Sequence, residues 1–385
     1  MSTPKQLAST PPMGWNSWNS FGSKVNERAV CEMADILVSS GLQACGYEYV
    51  VIDDCWSIKE HRDSNGDLIP DPERFPNGIK PVADYVHSKG FKFGIYSDAA
   101  EMTCAGYPGS FGFEDQDAHL WASWGVDFLK YDYCHAPSDQ QTAIERYTRM
   151  GDALRNSGRE ILFSICEWGG RSPSLWARQA GGQMWRVTGD VIDSWGDVLH
   201  NTWWGLGIDS VLDTALNLHE YAGPGGWNDM DMLVIGLNGK GSVQGSGASY
   251  VEYRTQMSMW SILCSPLMIG CDLRTMTPET AGLLMNREIL AINQDALGKQ
   301  AVRIKKQGSL EVWRKPLSDG SLALALLNRG SSRDSISLRA GEVGLLDGAK
   351  AVVRDAWKQQ DVADFKPEQS YLVAPHDTLV LKICG

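Results

Sequence analysis

At 385 residues, 43% apolar and 21% charged, the chain has the make-up of a folded protein with a large core and not of a disordered one. Forty-seven acidic against thirty-five basic side chains give a formal charge of −12, which repels a nucleic-acid backbone and suits a neutral small molecule better. No run of 18 apolar residues reads as a membrane span, the nine scattered cysteines contain no CxxC, and no N-x-S/T sequon occurs.

The N-terminal stretch MSTPKQLASTPPMGW lacks the apolar core of a signal peptide. Short apolar segments then alternate with helical patterns. After PPMGWNSW, the segment NERAVCEMADILVSSG places Ala29, Val30, Met33, Ile36 and Leu37 on one helical stripe, with Asn26 as N-cap and Gly41 just past the end. Strands are expected at 47–56, 91–99, 126–132, 161–168, 184–190, 225–236 and 266–272. Helices are expected between them at 80–90, 114–124, 138–157, 173–180, from 194, and at 248–263. With the opening segment this makes eight strand–helix units, so residues 1–300 are expected to form a (β/α)8 TIM barrel. No GxGxxG opens a helix after the first strand, which speaks against a dinucleotide-binding sheet. From 301 to 385 the segments LEVWRKPL, LALALLNR, DSISL, AVVRDAW and YLVAPHDTLVLKI, broken by Gly, Asp and Ser turns, predict a small C-terminal antiparallel β-sandwich.

In such a barrel the chemistry collects at the C-terminal ends of the strands. Those ends carry Trp18, Asp53, Asp54, Tyr96, Asp98, Lys130, Asp132, Glu167, Arg186, Asp190, Asp229, Asp231 and Asp272. An Asp after a strand is by default a turn or cap residue. In FLKYDYC, however, alternation puts Lys130 and Asp132 on one face of an otherwise core-like strand, and capping does not explain the lysine. Two carboxylates across a mouth are the equipment of glycoside hydrolysis, and Trp15, Trp18, Trp56 and Trp168 near strand ends offer either core filling or a surface for a sugar's C–H face. The chain has no EF-hand loop and no HExxH, so no metal is expected.

The motifs PPMGWNSW, YEYVVIDDCW, ADYVHSKGFKFGIYSD, TCAGYPGSFG, WGVDFLKYDYC, CEWG, WRVTGDVIDSW, AGPGGWNDMDMLVIG and AINQDALGKQ stand in one order, and in that order the chain resembles the α-galactosidase and α-N-acetylgalactosaminidase family, glycoside hydrolase family 27. The resemblance implies retaining, exo-acting hydrolysis of terminal α-galactosyl residues, without a cofactor. It implies Asp132 as nucleophile, Asp190 as acid/base, and Trp18, Asp53, Asp54, Tyr96, Lys130, Glu167, Arg186 and Asp231 as substrate-binding residues. Lys130 is expected to lower the pKa of Asp132. A disulfide between Cys104 and Cys134 is also implied, closing a loop worth about 3 kcal/mol on a chain-entropy argument. With it goes an expected extracytoplasmic location, the leader having been removed. Oligomeric state is left open.

Two positions depart from the family pattern. Ser23 stands where a cysteine often pairs with that of DDCW, which leaves Cys55 without a partner; Met230 replaces a common Pro in WNDMDM. Glu167 with Gly170 stand where members that accept an N-acetyl group carry small residues, so Glu167 is expected to hold a free 2-hydroxyl and favour galactose. A β-L-arabinopyranosidase is disfavoured by the intact IDD at 52–54. A catalytically inactive galactose-binding protein is disfavoured by the presence of both carboxylates.

Overall fold

The computed structural model describes residues 6–196, 205–345 and 351–384. Eight short parallel strands, β1 (Met13–Asn16), β2 (Tyr49–Val51), β3 (Lys92–Asp98), β4 (Phe128–Asp132), β5 (Leu162–Ile165), β6 (Met184–Arg186), β7 (Trp227–Asp229) and β8 (Leu267–Ile269), pair in sequence order, with β8 returning to β1. A parallel bridge from Leu233 to Ile269 ties the chain after β7 to β8 and closes the curl. Leu129 and Tyr131 of β4 face the surrounding helices, in one buried cluster with Ile95 and Phe163. Phe128 points inward and packs with Tyr49, Val51, Leu162, Met184 and Met268, filling the interior beneath the mouth.

The helices follow the sequence pattern where a cap defines them. Asn26 Oδ1 accepts from Ala29 N at 3.0 Å and starts the helix Glu27–Ser39, while Asp139 caps Gln140–Asn156. Ser249 and Glu252 form a reciprocal capping box for Tyr250–Ile262. One expectation fails, and a second lies largely outside the described residues. Only the turn Pro173–Leu175 is regular in the span read as a helix at 173–180. Of the helix expected from 194, residues 194–196 are not helical and 197–204 lie outside the described residues; the next described helix is Ile208–Thr214.

Beyond the barrel lie β9 (Val302–Gln307), β10 (Leu310–Pro316), β11 (Leu322–Asn328), β12 (Asp334–Arg339), β13 (Val352–Asp355), β14 (Gln360–Asp364), β15 (Glu368–Val373) and β16 (Thr378–Cys384). They form a six-stranded antiparallel sheet, β14-β13-β16-β11-β10-β9, and a two-stranded sheet, β12-β15. Val312, Leu324, Leu326, Ile336, Leu338, Val353 and Leu381 fill the space between the two sheets. The helix Tyr250–Ile262 is buried on nearly every side, because the barrel covers one face and β11 and β16 cover the other. Arg254 forks onto Asp377 at 2.6 Å across that seam, and Trp357 Nε1 donates to Ser258 Oγ.

Candidate active site

The strand register delivers the polar side chains to one place. Tyr96 lies opposite Lys130, and Asp98 opposite Asp132, so alternate residues of β3 and β4 reach the mouth side by side. A cavity of about 380 Å³ opens there, and its walls include Trp18, Asp53, Asp54, Tyr96, Lys130, Asp132, Arg186, Asp190 and Asp231. Of the ten residues put forward from the sequence, only Glu167 is not brought to the cavity.

Asp132 is nearly inaccessible. Its Oδ2 accepts from the Tyr96 hydroxyl at 3.0 Å and its Oδ1 from Tyr133 N at 3.1 Å. Burial pushes its carboxyl up to about 7, against the pull of the Lys130 ammonium; the depressed value expected from that lysine is thus overturned by desolvation. Lys130 does not bond Asp132 directly. Its Nζ donates to Asp53 Oδ2 at 2.8 Å, and although burial opposes the ammonium, the Asp53 charge wins and holds Lys130 above its ordinary range. Asn16 Nδ2 reaches the same Asp53 oxygen at 2.8 Å.

The chain leaves β2 at Val51 and turns, which lets each aspartate bind the next amide: Asp53 Oδ1 accepts from Asp54 N, and Asp54 Oδ1 from Cys55 N. Asp54 Oδ2 also accepts from Ala105 N at 3.0 Å, drawing in the loop that carries Cys104. That cysteine is bonded to Cys134, with Cα atoms 5.0 Å apart, so the implied bridge is present and the end of β4 is clipped to the loop after β3. Cys55 is a free buried thiol, as the serine at position 23 implied. Asp98, Cys104, Asp132 and Cys134 bring oxygen and sulfur within 4.8 Å of one another, but the two sulfurs are joined to each other and offer no thiolate pair to a metal. Replacing Cys104 and Cys134 by alanine is expected to destabilise the fold by about 3 kcal/mol and to lower kcat, since Cys134 lies two residues past Asp132 on the same wall. Thermal melts and kinetics of the double variant check this, and an unchanged melting temperature would contradict it.

Arg186 organises the opposite wall. Its Nη1 meets Asp231 Oδ1 at 3.0 Å and its Nη2 donates to Asp190 Oδ1 at 2.9 Å. Asp231 sits in a left-handed conformation, φ 74°, stabilised by amides from Val191 to its Oδ2 and Met232 to its Oδ1 and by its own N–H to Asp229 Oδ1. Met230, buried here, donates its N–H to Ser265 Oγ at 3.0 Å, a bond that proline could not make. Asp190 differs from Asp132 in access: 55% of its side chain is exposed.

Glu167 lies behind the wall, fully buried, its Oε2 accepting from Arg171 N at 2.8 Å. Gly170 faces the same carboxylate and not the cavity. Glu167 thus does not line the cavity itself, whereas Trp168, with φ 59°, does. The site further includes Val243 and Met232, which the strand-end reading did not reach. Val243 comes from a glycine-rich loop folded back over the mouth. A Cβ at Gly241 would stand 2.2 Å from Asn19 O, and one at Gly245 2.2 Å from Asp193 O, so only glycine allows this approach.

Burial also raises Glu167 to about 7 and Asp229 to about 6, the second against Arg186. In the unfolded chain these carboxyls titrate at ~4. Between about pH 4 and 7 the folded protein then binds more protons than the unfolded one, and stability falls as pH rises through that window. The melting temperature is expected to be higher at pH 5 than at pH 7, and Glu167→Gln to flatten the slope; a melting temperature that climbs from pH 5 to pH 7 would contradict this.

One carboxylate shut away near a lysine and a second open to water, facing a single cavity with aromatic walls, places the protein in the class of glycoside hydrolases. Comparison with known proteins narrows the class. Residues 10–295 match the family described as alpha galactosidase A, and residues 307–383 match the alpha galactosidase C-terminal beta sandwich domain. The chain belongs to the α-galactosidase family. An α-galactosidase of Cyamopsis tetragonoloba is 47% identical over 353 residues, covering 91% of this chain and 80% of that protein. The crystal structure of α-galactosidase I from Mortierella vinacea superposes with a TM-score of 0.93 at 35% identity, covering 99% of this chain and 98% of that one. An α-galactosidase from Saccharomyces cerevisiae, solved with raffinose, gives a TM-score of 0.89 at 29% identity, covering 98% of each chain.

Proposed function

We propose that the protein is an exo-acting α-galactosidase that releases terminal α-D-galactosyl residues with retention, Asp132 serving as nucleophile and Asp190 as acid/base. The observation that carries the assignment of roles is the contrast between the two carboxylates. Asp132 is nearly inaccessible at the floor, fixed by the Tyr96 hydroxyl and the Tyr133 amide as a group that must attack one carbon in line. Asp190 is open to solvent and held by Arg186, placed to give a proton to a leaving oxygen and then to take one from water. In the first step Asp132 attacks the anomeric carbon as Asp190 protonates the departing oxygen; in the second, water attacks the same carbon and Asp190 accepts its proton. Two inversions give net retention.

Lys130, Asp53 and Asp54, cross-linked through Asp53, are proposed to hold the sugar's hydroxyls from one side of the ring, and Arg186 with Asp231 from the other. Glu167, whose Oε1 is buried without a hydrogen-bond partner among the described residues, is proposed to meet the 2-hydroxyl from behind Arg186 and Trp168, which line the cavity, and so to disfavour an N-acetyl group. Galactose as the glycone is supported by the α-galactosidases to which the chain is similar. The raffinose bound by the yeast relative supports small galactosyl oligosaccharides as substrates. The barrel, ending near residue 300, is proposed as the catalytic domain and residues 301–385 as a packing partner for the helix Tyr250–Ile262. The deciding assay compares p-nitrophenyl α-galactoside with the α-N-acetylgalactosaminide and follows the first-formed sugar by NMR. Turnover of the galactoside with the α-anomer appearing first is expected. Preferred turnover of the N-acetyl compound, or β-galactose appearing first, would overturn the reading.

A further inference from the structure

Lys315 of β10 crosses from the β-domain into the barrel and is fully buried there. Its Nζ lies 2.5 Å from the carbonyl oxygen of Ile292 and 2.9 Å from Cys264 Sγ. The ion pairs found among the described residues include none to Lys315, so a lysine is sunk between two domains with no carboxylate to neutralise it. Cys264 is equally buried, held in a left-handed conformation at φ 56°, and its thiol contacts Lys299 O at 3.3 Å. A hydrogen bond to neutral sulfur is weak and long. A nitrogen and a sulfur at 2.9 Å are instead closer than van der Waals contact allows, and their separation is one that a single bridging oxygen can span.

From this we infer that Lys315 and Cys264 are a covalent modification site, joined by dioxygen into an N–O–S bridge between the barrel and the β-domain. The ammonium first gives up one proton. The amine, the thiol and one O2 then yield Lys–NH–O–S–Cys and one water: an N–H and the S–H break, N–O and O–S bonds form, and nitrogen and sulfur each lose two electrons to the four-electron reduction of dioxygen. The bridge converts a buried cation into a neutral group and so removes the desolvation cost. Ile292, whose carbonyl holds the lysine, lines a cavity of about 400 Å³ together with Leu317 and Ala356; neither Lys315 nor Cys264 lines its wall, which is one residue layer away from the pair. The site also has a route to the catalytic loop: Ser265, next to Cys264, accepts from Met230 N, and Trp260 Nε1 donates to Asp231 O at 2.8 Å.

The test uses the full chain, one portion held in air-saturated buffer and another kept anaerobic under a dithiol, both then denatured, alkylated and digested for mass spectrometry. The expected result is a linked pair of peptides, one containing Lys315 and the other Cys264, whose mass is their sum plus one oxygen less two hydrogens. It should be present in air, lost on reduction with a phosphine, and absent from Cys264→Ser. Because wild-type protein carries the readout, a folding defect in the variant does not blur it. Quantitative alkylation of Cys264 in the air-exposed protein without prior reduction would overturn the inference. So would a link lacking the oxygen, or a disulfide from Cys264 to another cysteine.

Discussion

Asp132→Ala is expected to lower kcat on α-galactosides by on the order of 10⁴-fold or more, the largest loss of any single substitution in the molecule. Nothing else on the cavity floor can take over the attack: Tyr96 spends its hydroxyl on Asp132, and Lys130 is committed to Asp53. The fold should survive, because the substitution removes a buried carboxyl that is costly to ionise. The melting temperature at pH 7 is expected to hold or rise while activity vanishes. Azide, small enough for the vacated space, should restore turnover by a single displacement and leave β-galactosyl azide. Activity unchanged by the substitution, or azide rescue giving the α-anomer, would remove Asp132 from the nucleophile's role.

Asp190→Ala is expected to cost about 10²- to 10⁴-fold, but unevenly. An aryl galactoside with a good leaving group needs little protonation, so its first step proceeds and the galactosyl-enzyme accumulates, seen as a burst and a lowered KM. Raffinose, whose leaving oxygen is a poor one, should lose the full factor. Azide attacks the accumulated intermediate without needing a base, so it accelerates turnover and yields α-galactosyl azide. The two variants therefore give azide adducts of opposite configuration, a contrast that a merely structural role for either aspartate would not produce. Equal losses on both substrates would reassign Asp190.

What could be read from sequence depended on how far regular geometry extends. Alternation within β4 brought Lys130 and Asp132 to one face because both lie inside the strand, Phe128–Asp132. The same rule has no purchase on Glu167: β5 ends at Ile165, and the chain then enters a turn in which Trp168 takes a positive φ and swings into the cavity while Glu167 turns back onto Arg171. Asp53 and Asp54 also lie past their strand, but successive hydrogen bonds to the next amide hold both at the mouth. Val243 reaches the site from a loop whose path depends on contacts with Asn19 and Asp193, distant in sequence, and its glycines announced a loop without saying what it covers. The raised carboxyl of Asp132 required knowing how completely the residue is buried, since a neighbouring lysine alone argues the other way.

The packed barrel interior has a consequence for polymeric substrates. Tyr49, Phe128, Leu162, Met184 and Met268 close the cavity from below, so a sugar that enters must leave by the same opening and a chain cannot be threaded through. The catalyst therefore counts ends and not mass. Two galactose-bearing polymers of equal weight would be consumed at rates set by how many branch tips each displays, and a polymer stripped of its tips would be invisible to it whatever its length.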